Sequence, residues 1–524
     1  MYIEPNSIIR LLTRVSLDPN YSYTIYFNSI AEQTNYFMSK QKYYLTGYSY
    51  QRITRGYARV GIKAEDLYDC NYMMFQNTAF GNKWFYAFIT SVEYVNNECS
   101  EIRFEIDVMQ TWHFDYELGD CFVEREHTQT DRIGDNIVPE NLAVGEYVMN
   151  DYKPIISMSD MCVIVAVVDV DNGTTSGTLY DGIYGSAELY AYDSTDVTSI
   201  NAKVGEYAQK PEAIIGMYML PKILLGDTIP SGNKLSYGAR AVATTITLEA
   251  VSSGMDLDGY VPVNNKLYTY PYCFYNIDNA SGSELSLRYE FFQNLTPVVE
   301  ISGTVTQPVN VVLRPCSYKG VANYDSLGGY TTLNTESIQL NNYPMCSWNI
   351  DAYQAWVAQN SVPLVLDSIT SVAQTAVASQ QYVYPSRMQE SNAIGNISSI
   401  LSQAYKASIA ADISKGNLNN GGPNTANHKQ QFYGGRCSVS GQYMLMIDDY
   451  FNMYGYAMKR IKQPARNVRP YWTYTKTVGC DIINAQVPAD DLKKIASIYD
   501  NGITFWNGPD NVGNYSLDNR PEIR

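Results

Sequence analysis

The chain has 524 residues, of which 45% are hydrophobic and only 17% charged, and its formal net charge is −16 with 37 Lys and Arg. That length supports two to four domains with well-buried cores, and that charge excludes the basic footprint with which a protein wraps nucleic-acid phosphates. An acidic wall still suits DNA as a passing cargo, since a duplex carrying one negative charge per roughly 1.7 Å slides past it rather than sticking.

The opening MYIEPNSIIRLLTR has no charged start followed by an apolar run and a small-residue cleavage site, so no secretory leader is expected. The 47 tyrosines favour strands and interfaces, where a flat amphipathic ring loses little entropy on docking. Residues 1–125 read as strands. Residues 85–95 (FYAFITSVEYV) and 101–112 (EIRFEIDVMQTW) flank the connection NNECS. In the second run Ile102, Phe104, Ile106 and Val108 alternate with Arg103, Glu105 and Asp107, which predicts a hairpin with one wet face. The β-branched run at residues 162–170 (CVIVAVVDV) predicts a strand covered on both sides. Further alternation at residues 245–251, 285–291 and 309–313, punctuated by Gly, Asn and Pro, predicts several β domains in series.

The pattern changes after Pro363. Ile369, Val372, Ala373, Ala376 and Val377 fall at helical spacing, and Ile394, Ile397, Leu401, Tyr405 and Ile409 repeat it over residues 390–413, a helix of about 36 Å. Residues 368–386 carry no charge over nearly the ~20 residues that a membrane-spanning helix needs. Within SITSVAQTAVASQQ, however, eight of fourteen residues are Ser, Thr or Gln, which excludes a constitutive transmembrane helix. Two readings stand: an amphipathic hairpin packed on its own protein or a neighbouring copy, or a plug that contacts a membrane conditionally. A loop at residues 415–429 follows, and residues 437–447 (CSVSGQYMLMI) read as a return to strand.

Near the end, Pro488, Asp490 and Asp491 open a helix over 489–499 that stops at Asn501-Gly502. Upstream, Lys459, Arg460, Lys462, Arg466 and Arg469 concentrate positive charge in an acidic chain. Such a cluster is either a solvated, internally paired face or a contact to a partner subunit.

Chemistry has little support. The phosphate-cradling, HExxH and GxSxG motifs are missing. Glu105, Asp107, Asp115, Glu117, Glu124 and Glu126 could supply the carboxylate pair of a glycosidase, yet any polar strand face offers such pairs. His113, His127 and His428 lie far apart in sequence, and the nine cysteines, none in a CxxC pair, read as free, buried thiols of a protein made in a reducing cytoplasm. No enzyme activity, cofactor or metal is expected.

The runs MFQNTAFGNKWFYAF (residues 74–88), RFEIDVMQTWHFD (103–115), VEREHT (123–128), YPYC (270–273), YGYAMKRIKQP (454–464) and YDNGITFWNGPDNVGNYSLDN (499–519) resemble the tail-knob, or distal tail tube, proteins of small short-tailed podoviruses of Gram-positive bacteria, of the Picovirinae or Salasmaviridae type. The resemblance is specific over the first ~130 and last ~80 residues. It implies a mainly β, multidomain barrel or sandwich tube protein with a helical or loosely ordered insertion and a short C-terminal helix, α+β in total. The implied domains are an N-terminal β tube domain (1–128), variable β-rich knob domains (129–345), the insertion (346–435) and a C-terminal tube domain (436–524).

The family further implies a homohexamer enclosing a genome-ejection channel in the virion tail, assembled in the host cytoplasm. Its partners would be the lower collar above, a wall-degrading protein at the tip, phage DNA as cargo that does not stick, and, transiently, the host cytoplasmic membrane. The family's plug and membrane-penetration loop maps onto residues 364–431, with Leu364, Val365, Leu366, Ile369, Val372, Val377, Ile394, Ile397, Leu401 and Ile409 as its apolar contacts. A tail-associated cell-wall hydrolase and a host-receptor adhesin are the alternatives.

Overall fold

The computed structural model describes residues 6–48, 56–156, 160–167, 179–180, 183–184, 188–193, 195–206, 214–225, 232–235, 244–279, 283–303, 311–318, 347–349 and 432–521. The fold is mainly β. It divides into two units, one made of Met1–Val144, Val261–Leu267 and Gln442–Arg524, the other of Gly145–Tyr260 and Tyr268–Gly441. The two ends of the chain therefore build a single unit, hereafter the terminal unit, and the second unit is an insertion in it.

The terminal unit holds a six-stranded antiparallel sheet in the order Gln41–Tyr48, Ser7–Thr13, Cys70–Gln76, Phe85–Asn96, Cys99–Ile106, Tyr57–Val60. Its central strand CNYMMFQ is apolar on both faces. Tyr72 and Met74 enter one core with Phe37, Phe88 and Trp112, while Met73 and Phe75 enter another with Ile9, Leu11 and Phe104. Successive side chains of a strand point to opposite faces, so one strand anchors two cores. Phe37 and Tyr72 stack with ring centroids 5.2 Å apart.

Residues 85–106 form the expected hairpin, with Ala87 opposite Ile106 and Asn96 opposite Cys99. The second strand stops at Ile106, however. Asp107 caps a short helix, Val108–Thr111, by accepting from the Met109 and Gln110 N–H groups, so Asp107 is buried rather than on a wet face. The first 125 residues also contain a helix, Ile30–Ser39, where strands were expected. Ser29 accepts from the Glu32 N–H, and the Glu32 carboxylate accepts from the Asn28 N–H at 3.1 Å, a reciprocal cap that starts a helix where alternation would not.

A second sheet of the terminal unit runs Tyr23–Tyr26, Ile503–Asn507, Trp472–Val478, Cys121–Glu126, Tyr456–Lys462. Its first pair is parallel and the rest antiparallel. The helix Ala489–Asn501 carries Asp490 and Asp491 in its first turn and buries Ile495, Ile498 and Tyr499 in the larger core. The expected strand at residues 437–447 is instead the end of a strand, Tyr433–Val439, and the start of a helix, Gly441–Tyr454. Met444, Ile447 and Phe451, spaced for one helical face, are buried together with Asp448.

The second unit contains three larger sheets. One has four strands: Tyr147–Pro154, Tyr433–Val439, Cys273–Asp278 and Glu284–Leu287. Another centres on Met161–Val167, paired on one side with Glu188–Asp193 and on the other with Ile214–Pro221. All but one of the seven residues of Met161–Val167 are buried, as expected of the covered strand read over residues 162–170, of which 168–170 lie outside the described residues. A third joins Thr244–Thr247, Val298–Gly303 and Val311–Pro315. In the four-stranded sheet a Cβ on Gly435 would stand 2.7 Å from the Asn150 carbonyl oxygen, so only glycine lets that strand pair so closely.

Residues 364–431 lie outside the described residues, and with them all ten named loop positions and His428. Among the described residues no helix is long and apolar enough to cross a membrane.

Candidate functional site

The basic cluster sits on the strand Tyr456–Lys462 and the connection to Trp472–Val478, both in the terminal unit. Pairing with Cys121–Glu126 runs Tyr456 opposite Glu126 and Ala457 opposite Arg125, then slips before resuming at Arg460 opposite Val123. The slip is a bulge, and Lys459 there has φ of 47°. It turns two consecutive cations, Lys459 and Arg460, outward together.

The other three positions behave differently. Lys462 pairs with Glu126, whose carboxylate is fully buried and also accepts from the Ala465 N–H at 3.0 Å. Arg466 lies over the rings of Tyr116 and Tyr26, at 5.6 and 5.9 Å from their centroids. Arg469 is buried and donates to the Asn519 carbonyl at 3.4 Å. Three of the five cations thus hold the terminal unit together, and Lys459 and Arg460 are the exposed pair.

Beside that pair an apolar row crosses three strands. Ile461 stands opposite Phe122, and Phe122 opposite Val478, so the three share one face of the sheet. They are 74%, 39% and 56% exposed. Large apolar side chains side by side in water mark an interaction surface. Around the corner an open cleft of about 530 Å³ is lined by Thr128, Thr130, Asn136, Arg460, Lys462 and Gln463, among others.

The acids considered for catalysis are separately occupied. Glu105 pairs with Lys494, Asp115 with Lys83 at 2.5 Å and Glu124 with Lys476 at 2.8 Å. Glu117 accepts from the Asn484 amide at 2.7 Å, and Asp107 is the buried cap. His127 accepts from the Tyr474 N–H at 2.8 Å and contacts the Asn452 carbonyl at 3.0 Å. Burial pushes it down to about 3, and pushes His113, set against the Phe27 carbonyl, down to about 4. Both are neutral structural imidazoles. Among the described residues no three His, Cys, Asp or Glu side chains converge as a metal site, and eight cysteines are free.

Sequence reasoning missed a buried polar hub. Glu140 accepts from Lys266 Nζ at 2.5 Å and from the Ala457 N–H at 2.8 Å, and also pairs with Arg125. Asp448 accepts from the Asn264 N–H at 3.0 Å and from its amide at 2.7 Å. These bonds fasten residues 261–267, where the chain briefly revisits the terminal unit midway through the insertion. The signal in the sequence was only a lysine and an aspartate in apolar surroundings.

Known proteins agree with this architecture. Residues 240–520, more than half the chain, match the family described as Bacillus phage phi29 tail knob protein gp9, C-terminal domain, and residues 5–117 match the caudoviral major tail protein N-terminus. Over 98% of both chains the sequence is 26% identical to tail knob protein gp9 of Bacillus phage phi29, and equally so to that of Bacillus phage PZA. The solved tail knob protein gp12 of bacteriophage C1 superposes with a TM-score of 0.66 over 98% of this chain and 99% of its own, at 16% identity. The chain belongs to the tail knob family typified by gp9 of Bacillus phage phi29, a structural protein of the virion tail.

Proposed function

We propose that copies of this knob protein close into a homohexameric ring around a genome-ejection channel, and that residues 364–431 plug its mouth and help breach the host membrane. The observation that carries the ring is the row Ile461, Phe122 and Val478 on the outer face of the five-stranded sheet, flanked by Lys459 and Arg460. A neighbouring copy would cover it, and among the described residues the two larger sheets of the terminal unit also end in open edges that closed symmetry would protect. The net charge of −16 suits a wall past which DNA must slide. The collar above, a wall-degrading protein at the tip and the host membrane are the partners this reading implies, with Lys459 and Arg460 as the cations free to meet them.

Native mass spectrometry with negative-stain imaging tests the ring. A six-fold particle is expected, and a monomer under every condition overturns it. Deleting residues 368–427 should leave the particle intact while abolishing infectivity and leakage of dye from liposomes. Failure to assemble would instead make the segment structural. The reading is also non-enzymatic, so purified protein should clear no zone in a gel containing host cell wall, and clearing would favour the hydrolase.

A further inference from the structure

Two cysteines in the terminal unit stand together although they are far apart in sequence. Cys121 opens the strand Cys121–Glu126, and Cys480 follows Trp472–Val478. In that antiparallel pair Phe122 lies opposite Val478, and one step beyond the sheet the Gly119 N–H donates to the Asp481 carbonyl at 2.9 Å. These two contacts bracket the cysteines and set them on neighbouring positions across the strand pair, near enough for the Cys121 thiol to disfavour ionisation of Cys480. Cys121 is buried, whereas Cys480 is half-buried and reachable from solvent.

We propose that Cys121 and Cys480 are a modification site: they form a disulfide that locks the five-stranded sheet once the particle leaves the reducing cytoplasm. The oxidant is a small disulfide such as oxidised glutathione. Cys480, deprotonated, attacks one sulfur of the reagent, forming a mixed disulfide and releasing one small thiolate, which takes up the proton. Cys121 then loses its proton, attacks the Cys480 sulfur and releases the second small thiol. Two protein thiols and one small disulfide become one protein disulfide and two small thiols, so two electrons pass to the reagent.

The surroundings make this a slow, late event. Burial, with the neighbouring Cys121 thiol and Asp500, pushes the Cys480 thiol up to about 12, and burial also raises Cys121. Little thiolate is present near neutrality, so the pair survives synthesis reduced. The bond would close a chain loop that contains the whole inserted unit, which is where a cross-link restricts the unfolded chain most.

The test treats the assembled full-length protein with oxidised glutathione at pH 9, then alkylates and digests it without reduction. The expected product is a peptide pair joined through Cys121 and Cys480, with an unfolding midpoint raised by roughly 5–10 °C and restored by reductant. Cys121→Ser should stop at the mixed disulfide on Cys480, and Cys480→Ser should prevent both. Quantitative alkylation of both thiols after oxidation, or pairing of either with another cysteine, overturns the site. A correct cross-link that leaves the midpoint unchanged overturns the lock.

Discussion

The Tyr72 hydroxyl donates to Asp107 at 2.8 Å, joining the central strand of the six-stranded sheet to the cap that ends its neighbouring hairpin. The other carboxylate oxygen accepts from the Met109 and Gln110 N–H groups at 3.0 and 3.1 Å. Both residues are 1% exposed, so no water replaces these bonds if the carboxylate is removed. Asp107→Ala should destabilise the protein by ~2–4 kcal/mol in denaturant melts, and Asp107→Asn, which keeps a capping oxygen, by less than half of that. Equal midpoints for Asp107→Ala and wild type would contradict this role.

The buried titratable groups set an acid limit. Folded His113 and His127 titrate near 4 and 3 against an ordinary 6.5, so the unfolded chain binds their protons first. Their contribution is fully present above pH 6.5 and is lost as pH falls, roughly 3 kcal/mol from each by pH 4. Asp107 opposes them: raised by burial to about 6, it contributes below its ordinary 3.8 and loses that contribution as pH rises. Its gain between pH 7 and 4 is about 2 kcal/mol, so the histidines win. Melting temperature should fall from pH 7 to 4, less steeply in His127→Asn and more steeply in Asp107→Asn. Parallel profiles for all three proteins would contradict the assignment.

How much of this was legible depends on range. The 85–106 hairpin follows from alternation, and the covered strand Met161–Val167 from its unbroken β-branched run. The helix Ile30–Ser39 was legible in Ser29-x-x-Glu32, but it lies between strands and its apolar spacing is weak. In the helix Gly441–Tyr454 the spacing of Met444, Ile447 and Phe451 is hidden by the exposed Tyr443, Leu445 and Met446 among them. Nothing local tells Arg469, which turns inward, from Arg460, which a bulge turns outward. Nor can linear order reveal that Lys266 meets Glu140.

Gly455 and Gly479 separate two costs of losing a glycine. Both have left-handed backbones, with φ of 65° and 68°. A Cβ on Gly455 would stand 2.1 Å from the Glu126 carbonyl oxygen, whereas one on Gly479 would meet nothing within 4 Å. Gly479→Ala should cost only the backbone preference, ~1–2 kcal/mol. Gly455→Ala must also push apart two paired strands and should cost at least ~2 kcal/mol more, enough to deplete soluble protein. Thermal melts of the two variants side by side decide the matter, and equal losses would show that the strand pair yields easily.

Lys266 and Glu140 are the last pair to test, because both side chains are almost wholly buried, at 3% and 1% exposure. Burial lowers the Lys266 pKa, and Glu140, the largest opposing influence, holds the proton on. Lys266→Met leaves Glu140 with Arg125 and the Ala457 N–H, while Glu140→Gln leaves Lys266 charged, with the Val138 carbonyl at 2.9 Å. An uncompensated buried charge is costlier than a missing attraction, so each single change should cost ~3–5 kcal/mol. The double variant should cost clearly less than the two added together. A coupling of ~2 kcal/mol or more from the four melts is expected, and strict additivity would mean that Arg125 alone satisfies Glu140.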